Sequence, residues 1–192
     1  EAIGFSFIYS GNFLAQAEVG AHGTARILMG IHPDCFDWKL EPGESFQTPE
    51  AVMVYTDRGL NDLSQTFHQL YQKRLARGYW RDRERPILIN NWEATYMDFD
   101  EKRILDIAGK ARDCGVELFV LDDGWFGQRC TEHAGLGDWV ANRDRLPEGI
   151  AGLARRIGDL GMQFGLWFEP EMVNKDSDLY RAHPDWILHV PG

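Results

Sequence analysis

The chain has 192 residues, 44% hydrophobic and 26% charged, which is typical of a globular protein with one or two packed cores. Its formal net charge is -10 and its Lys and Arg residues are scattered among acidic ones, which excludes the basic patch of a nucleic-acid-binding protein. No apolar run approaches the roughly 20 residues that a membrane-spanning helix needs, so no membrane contact is predicted.

Residues 1–57 predict part of an antiparallel β-sheet domain, because short alternating runs are separated by Gly, Pro, Asn and His. The runs are GFSFIYSG, FLAQAEVG, TARILMGI, FDWKL and AVMVYTD. The first of them opens the chain without a methionine, so we expect the natural N-terminus to lie upstream. Residues 58–85 predict a helical connector, since apolar residues then recur every three or four positions, from Leu60 to Leu75.

Residues 86–192 predict strands that alternate with helices. ILINN, ELFVLDD and QFGLWFEPE read as strands, and the segments from Ile104 to Cys114 and from Pro147 to Leu160 read as helices. Gly115 and Gly161 follow these helices as caps, and Pro147 suits a first helical turn. The segment WILH, residues 186–189, predicts the start of a fourth strand.

Such alternation predicts parallel strands with helical crossovers, in either a doubly wound sheet or a (β/α)8 TIM barrel. The barrel is favoured, because the first strand leads into NNWEATY rather than a glycine-rich nucleotide-binding turn. A complete barrel takes about 250 residues, far more than residues 86–192 provide. The α/β fold predicted is therefore a partial barrel of three to four strands.

Carboxylates and tryptophans follow each of the three strand-like runs, where barrel active sites lie. They are Trp92, Glu93, Asp122, Asp123, Trp125, Trp167, Glu169 and Glu171. Carboxylates accept hydrogen bonds from sugar hydroxyls, and an indole packs against a pyranose face. Singly, these tryptophans suit a core and these acids suit turns or helix caps. Their recurrence at corresponding strand ends favours a carbohydrate site.

A metal centre is the competing interpretation of these acids. His133 lies close to Asp138 in sequence, with Cys130 nearby, but HxH, HxE and HExxH spacings are missing. Three cysteines, Cys35, Cys114 and Cys130, show no CxxC spacing, which argues against a disulfide framework and a four-thiolate zinc site. We therefore predict no metal and no cofactor, and a reducing cytoplasmic location.

Long stretches of the chain resemble the α-galactosidases of glycoside hydrolase family 36. They are WKLEPGESFQTPEAVMVYTDRGLNDLSQTFHQLY, RPILINNWEATYMDF, ELFVLDDGWFGQR, GLGDWVANRDRLPEGIAGLA, GMQFGLWFEPEMVN and HPDW. The resemblance implies a β-supersandwich, a (β/α)8 barrel and a C-terminal β-domain, in a homotetramer. On this basis the C-terminal part of the β-supersandwich domain lies in residues 1–57 and the first part of the barrel lies in residues 86–192. A helical connector in residues 58–85 joins the two domains.

The resemblance also implies an activity, namely retaining hydrolysis of terminal α-1,6-linked galactose from melibiose- and raffinose-type oligosaccharides. It implies that Trp92 lines the galactose pocket and that Trp167 packs beside the sugar, while Asp122 and Asp123 bind its hydroxyls. The family's nucleophile is the Asp of a later KWD motif, and its acid/base is an Asp further on, after a Cys- and Gly-rich segment. Neither the KWD tripeptide nor that segment occurs in this sequence. We therefore expect an internal fragment with no catalytic residue, inactive alone.

Other functions stay open at this point. An α-N-acetylgalactosaminidase or a galactosyl transferase would share these segments, as would a short galactoside-binding protein without hydrolysis. A metal-assisted aldolase or lyase would use Glu169 and Glu171 instead. The stretch CTEHAGLGDW departs from the family pattern at Cys130 and His133, which points to an altered outer edge of the pocket.

Overall fold

The computed structural model describes residues 1–189 and has a mixed α/β fold with small sheets. The chain divides into two compact units, Glu1–Arg83 and Glu84–Gly192. Within residues 1–189, no helix combines the length and the apolar character needed to cross a lipid bilayer.

The first unit contains two antiparallel strand pairs. Strand β1 (Ala2–Ile8) pairs with β4 (Glu50–Thr56), and β2 (Phe13–Val19) pairs with β3 (Ala25–Ile31). Four of the five predicted runs therefore form strands, and their direction is antiparallel as expected.

The strand predicted at residues 36–40 is wrong. Cys35 has φ 55° and Gly43 has φ 89°, so the chain turns on both sides of this run. Its aromatic side chains pack locally instead, with the Trp38 ring centroid 4.8 Å from that of Phe46. The turns leave too few extended residues to pair with another strand.

Helix α1 (Leu60–Leu70) continues into a π-helical turn at Tyr71–Leu75, so the predicted helix is present. It packs on β1, where Gly4 leaves room for it: a Cβ atom at Gly4 would lie 2.8 Å from Phe67 and 2.9 Å from Leu63. The Tyr71 hydroxyl donates a 2.9 Å hydrogen bond to Ser6 Oγ and fixes the end of the helix against the same strand.

The second unit is built on a parallel sheet of three strands in the order β5 (Leu88–Asn90), β6 (Leu118–Leu121) and β7 (Gln163–Leu166). Helix α3 (Glu101–Asp113) connects the first two strands and α4 (Gly149–Asp159) connects the last two. The shorter helices α2 (Trp92–Thr95) and α5 (Asp178–Ala182) follow β5 and β7.

The core of this unit lies between the sheet and the two long helices. Fully buried apolar side chains recur at helical spacing on α3 and α4 and pack in one cluster with two buried residues of β6. They are Ile104, Ala108, Leu153, Ile157, Phe119 and Leu121. Gly115 and Gly161 end the helices with φ 86° and 80°, as their sequence positions predicted.

Two details of the second unit differ from expectation. Pro147 precedes α4 rather than joining its first turn, because Gly149 has φ 69° and interrupts the helical backbone there. The fourth strand predicted at residues 186–189 is wrong: Pro184–Trp186 form a 3-10 turn in which Trp186 stacks on His183 at 3.9 Å, and residues 187–189 are irregular. Residues 190–192 lie outside the described part.

The N-terminus of α3 gives the first prediction. The Asp100 carboxylate accepts a 2.8 Å hydrogen bond from the Arg103 N–H, so Asp100→Ala should cost about 1 kcal/mol of helix stability. We expect hydrogen exchange of the first-turn amides, measured by mass spectrometry on the full-length gene product, to accelerate about fivefold. Asp106→Ala, which removes an exposed pair with Lys110, is the control. Equal acceleration in both variants would contradict the cap.

Candidate functional site

The polar residues at the strand ends line one cleft of about 460 Å³ in the second unit. All four residues predicted to bind sugar, Trp92, Asp122, Asp123 and Trp167, lie on its wall, and Glu169 lies there with them. Glu93 and Glu171 are exposed and are not among the residues that line this cleft. The carboxyl end of the parallel sheet thus brings together side chains that are up to 77 positions apart in sequence, from 92 to 169.

Two asparagines at the end of β5 fix this arrangement. Asn90 donates from Nδ2 to Asp122 Oδ2, and its Oδ1 accepts a 3.0 Å hydrogen bond from the Trp92 N–H. Asn91 is completely buried; its Oδ1 accepts a 2.8 Å hydrogen bond from the Asp122 N–H, and its Nδ2 donates to Thr95 Oγ1 at 2.8 Å. Because both asparagines bridge the ends of β5 and β6, Trp92 and Asp122 keep a fixed relative position.

The Asp122 carboxylate is partly exposed to the cleft and retains acceptor capacity. Its Oδ2 accepts from Asn90, and its Oδ1 accepts a 2.7 Å hydrogen bond from the Asp123 N–H. An ionised carboxylate offers about four acceptor positions, and the bonds within residues 1–189 use two of them. The remaining lone pairs suit adjacent hydroxyl donors of a ligand.

Asp123 is in a different environment, because it forms a buried ion pair with Arg129. The side chains are 7% and 5% exposed. Arg129 donates from Nε to Oδ1 at 3.0 Å and from Nη2 to Oδ2 at 2.8 Å, while the Gly124 N–H donates to Oδ1 at 2.6 Å. Most of the acceptor capacity of Asp123 is therefore used within the protein.

Arg129 also ties together the loops that follow β6 and β7. Its Nη1 donates to the carbonyl oxygens of Glu132 at 2.9 Å and Ala134 at 3.1 Å, and to Asn174 Oδ1 at 3.0 Å. Sequence reasoning missed both Arg129 and Asn174. Neither belongs to a periodic pattern or a ligand-spacing motif, and their only signal was their place inside the GQR and MVN ends of two family-like segments.

Trp167 closes the third side of the cleft at the end of β7. Its carbonyl oxygen accepts a 3.0 Å hydrogen bond from Trp125 Nε1. Its ring stacks on Phe126 at 6.5 Å and meets Trp139 edge to face at 6.3 Å, which fixes its orientation. One carboxylate with free lone pairs between two partly exposed indoles matches a ring with hydroxyl groups and an apolar face.

Among residues 1–189, no cluster of His, Cys, Asp and Glu side chains has the geometry to hold a metal ion. The three cysteines of the described part are free and exposed.

The melibiase family profile matches residues 45–192, and the profile of the glycosyl hydrolase family 36 N-terminal domain matches residues 1–41. The chain belongs to the melibiase family. It is 65% identical to the alpha-galactosidase AgaA of Geobacillus stearothermophilus and 48% identical to the alpha-galactosidase Mel36A of Lactobacillus acidophilus, in each case over 192 residues. Each alignment covers the whole chain but 26% of the relative, so the chain spans about a quarter of their length.

Solved structures of α-galactosidases in this family have the same fold over this chain. The GH36 alpha-galactosidase AgaB of Geobacillus stearothermophilus matches with a TM-score of 0.91 at 65% identity, over 98% of this chain and 26% of its own. A variant of AgaA in complex with raffinose matches with a TM-score of 0.92, again over 98% of this chain and 26% of its own. The family resemblance expected from the sequence is confirmed.

The buried ion pair gives the second prediction. Asp123→Asn leaves the Arg129 charge uncompensated in the interior, which should cost about 3 kcal/mol. We expect a clearly lower thermal unfolding midpoint for the full-length gene product, measured by scanning fluorimetry. Asp113→Asn, which alters an exposed pair with Arg112, should leave the midpoint unchanged. Similar midpoints in both variants would show that the buried pair does not hold the loops.

Proposed function

We propose that this chain is the galactose-binding part of a retaining α-galactosidase that hydrolyses terminal α-1,6-linked galactose from melibiose- and raffinose-type oligosaccharides. The observation that carries the proposal is the convergence of Asp122, Trp92 and Trp167 on one cleft at the carboxyl ends of three parallel strands. Further support comes from the relatives, which are alpha-galactosidases, and from solved AgaA variants in complex with raffinose and with stachyose.

Each side chain has a role that follows from its surroundings. Asp122 accepts hydrogen bonds from two neighbouring galactose hydroxyls through its remaining lone pairs. Asp123 accepts at most one more, since its carboxylate is already paired with Arg129. Trp167 packs against the apolar face of the ring, and Trp92 lines the opposite wall. Because asparagine and arginine side chains hold these groups in place, little ordering is needed when the sugar binds.

The catalytic carboxylates belong, in this proposal, to the rest of a longer polypeptide. A retaining glycosidase needs two carboxyl groups about 5 to 5.5 Å apart, one as nucleophile and one as acid/base. No KWD tripeptide occurs in the sequence, and Asp123 is neutralised by a buried arginine. The acids of this chain therefore orient the sugar, while the carboxyl groups in the rest of the polypeptide cleave the glycosidic bond.

The architecture proposed is the end of a β-supersandwich in residues 1–57, a connector in residues 58–85 and the first strands of a (β/α)8 barrel in residues 86–192. It is supported by the strand–helix alternation of the second unit and by the position of the cleft at the carboxyl ends of the strands.

Large exposed side chains on the first unit, such as Val19 and Met53, favour burial in a larger assembly, which we propose is a homotetramer. Free cysteines favour the cytoplasm.

Side-by-side assays of the 192-residue chain and the full-length gene product test the proposal. We expect release of p-nitrophenol from p-nitrophenyl α-galactoside by the full-length protein only, because the chain lacks the nucleophile. Robust turnover by the chain itself would make its own carboxylates catalytic. Galactose binding by a full-length protein without turnover would instead identify a non-catalytic binding protein.

Asp122→Asn tests the binding role directly. The substitution keeps the shape of the side chain but removes the charge and one acceptor, so the kcat/KM of the full-length protein should fall about 10- to 100-fold, the cost of a lost charged hydrogen bond. Since the backbone N–H of residue 122 still donates to the buried Asn91 Oδ1 and the side chain is only partly buried, the fold should survive. The matched control is Asp106→Asn on the exposed face of α3. An unchanged kcat/KM would contradict the role of Asp122 in binding the sugar.

A further inference from the structure

Arg145 is a partly buried arginine in the segment between β6 and α4. Its guanidinium lies over the ring of the buried Phe99, with Cζ 5.5 Å from the ring centroid. Its own N–H donates to Asn142 Oδ1 at 3.3 Å, and its carbonyl oxygen accepts from the Glu101 N–H at 3.0 Å. The backbone of Arg145 is therefore anchored both within its own loop and to the first turn of α3.

One guanidinium nitrogen of Arg145 closes the loop that follows the two aspartates. Nη1 donates to the carbonyl oxygens of Gly124 and Arg129, the latter at 3.2 Å. These two residues are the ends of the segment GWFGQR, residues 124–129. The ion pair between Asp123 and Arg129 closes the same segment through side chains. Arg145 thus adds a closure through the backbone to the closure through the ion pair.

Gly124 allows the Arg145 side chain to come this close. Its φ of 95° favours glycine, and a Cβ atom there would lie 3.0 Å from Arg145 Nη1 and 3.2 Å from Met97 Cα. The Gly124 N–H donates to Asp123 Oδ1 at 2.6 Å, while its carbonyl oxygen accepts from Arg145. A single residue therefore connects the Arg145 guanidinium to the Asp123 carboxylate.

The same contacts lead on to the carboxylate that faces the cleft. The Asp123 N–H donates to Asp122 Oδ1 at 2.7 Å, so a shift of the backbone at Gly124 or Arg129 would be passed to Asp122. Arg145 itself is not among the residues that line the cleft of Asp122. Hydrogen bonds from a charged donor are stronger than neutral ones, which suits a residue that holds buried backbone in place.

We propose that Arg145 is a positioning residue for galactose binding, which holds the turn at residues 122–124 and the backbone of Arg129 and so sets the position of the Asp122 carboxylate. The proposal rests on the proposed function, because it assigns a residue that supports the same binding site. Arg145 acts through Gly124 and Arg129 and needs no contact with the galactose.

The test is Arg145→Met in the full-length gene product, since methionine fills similar space but donates no hydrogen bond. We expect KM for p-nitrophenyl α-galactoside and the inhibition constant of galactose each to rise about tenfold, the effect of weakening one charged hydrogen bond to the sugar. The kcat should change less than about twofold, because a displaced Asp122 weakens substrate and transition-state binding alike. A merely structural role would reduce the folded fraction, and therefore kcat, without changing KM.

Two further variants make the result decisive. Arg145→Lys keeps a charged donor but loses the planar fork, so its KM should rise only about threefold with kcat nearly unchanged. This variant decides the question by itself if the methionine variant does not fold. The matched control is Arg143→Met, which removes an exposed arginine that donates only to the Pro147 carbonyl oxygen at 3.2 Å, and it should keep wild-type constants.

An unchanged KM in both Arg145 variants, a fall in kcat alone, or an equal rise of KM in Arg143→Met would overturn the positioning role while leaving the proposed function intact. A wild-type full-length protein that neither cleaves α-galactosides nor binds galactose would overturn the proposed function, and the role of Arg145 with it.

Discussion

The site depends on one interaction, the buried ion pair between Asp123 and Arg129. Two charges held away from water are tolerated when they neutralise each other and their remaining donors are satisfied. Arg129 meets this requirement by bonding to backbone carbonyls after β6 and to Asn174 after β7. The need to satisfy one guanidinium therefore determines the course of two loops that carry no regular secondary structure.

The ion pair also places the two adjacent aspartates in different environments. Consecutive side chains at a strand end point in different directions, so Asp123 enters the interior while Asp122 remains open to the cleft. An open carboxylate beside a neutralised one suits the hydroxyl groups of the proposed ligand, and the site avoids two unpaired negative charges. Trp92 and Trp167 add apolar faces on either side, which favour a sugar over a small inorganic ligand.

Sequence patterns predicted the features that depend on periodicity and on strand ends. Ile104, Ala108, Leu153 and Ile157 recur at helical spacing and lie in the core, and Trp92, Asp122 and Trp167 meet at one edge of the sheet. The predictions that failed depend on local backbone conformation. Cys35 and Gly43 turn the chain on either side of residues 36–40, where a strand was expected, and Gly149 shifts the start of α4. Arg129 could not be predicted, because its partners lie on loops whose courses depend on the fold.

Asn91 connects the cleft to the turn at Tyr96 through two hydrogen bonds. Its oxygen holds the backbone of Asp122, and its amide nitrogen holds Thr95, whose hydroxyl contacts the carbonyl oxygen of Tyr96, a non-glycine residue with φ 47°. One completely buried side chain thus fixes both the backbone of Asp122 and the turn that carries Tyr96. Because these contacts lie within the folded chain, they hold the Tyr96 backbone at its positive φ without help from a ligand.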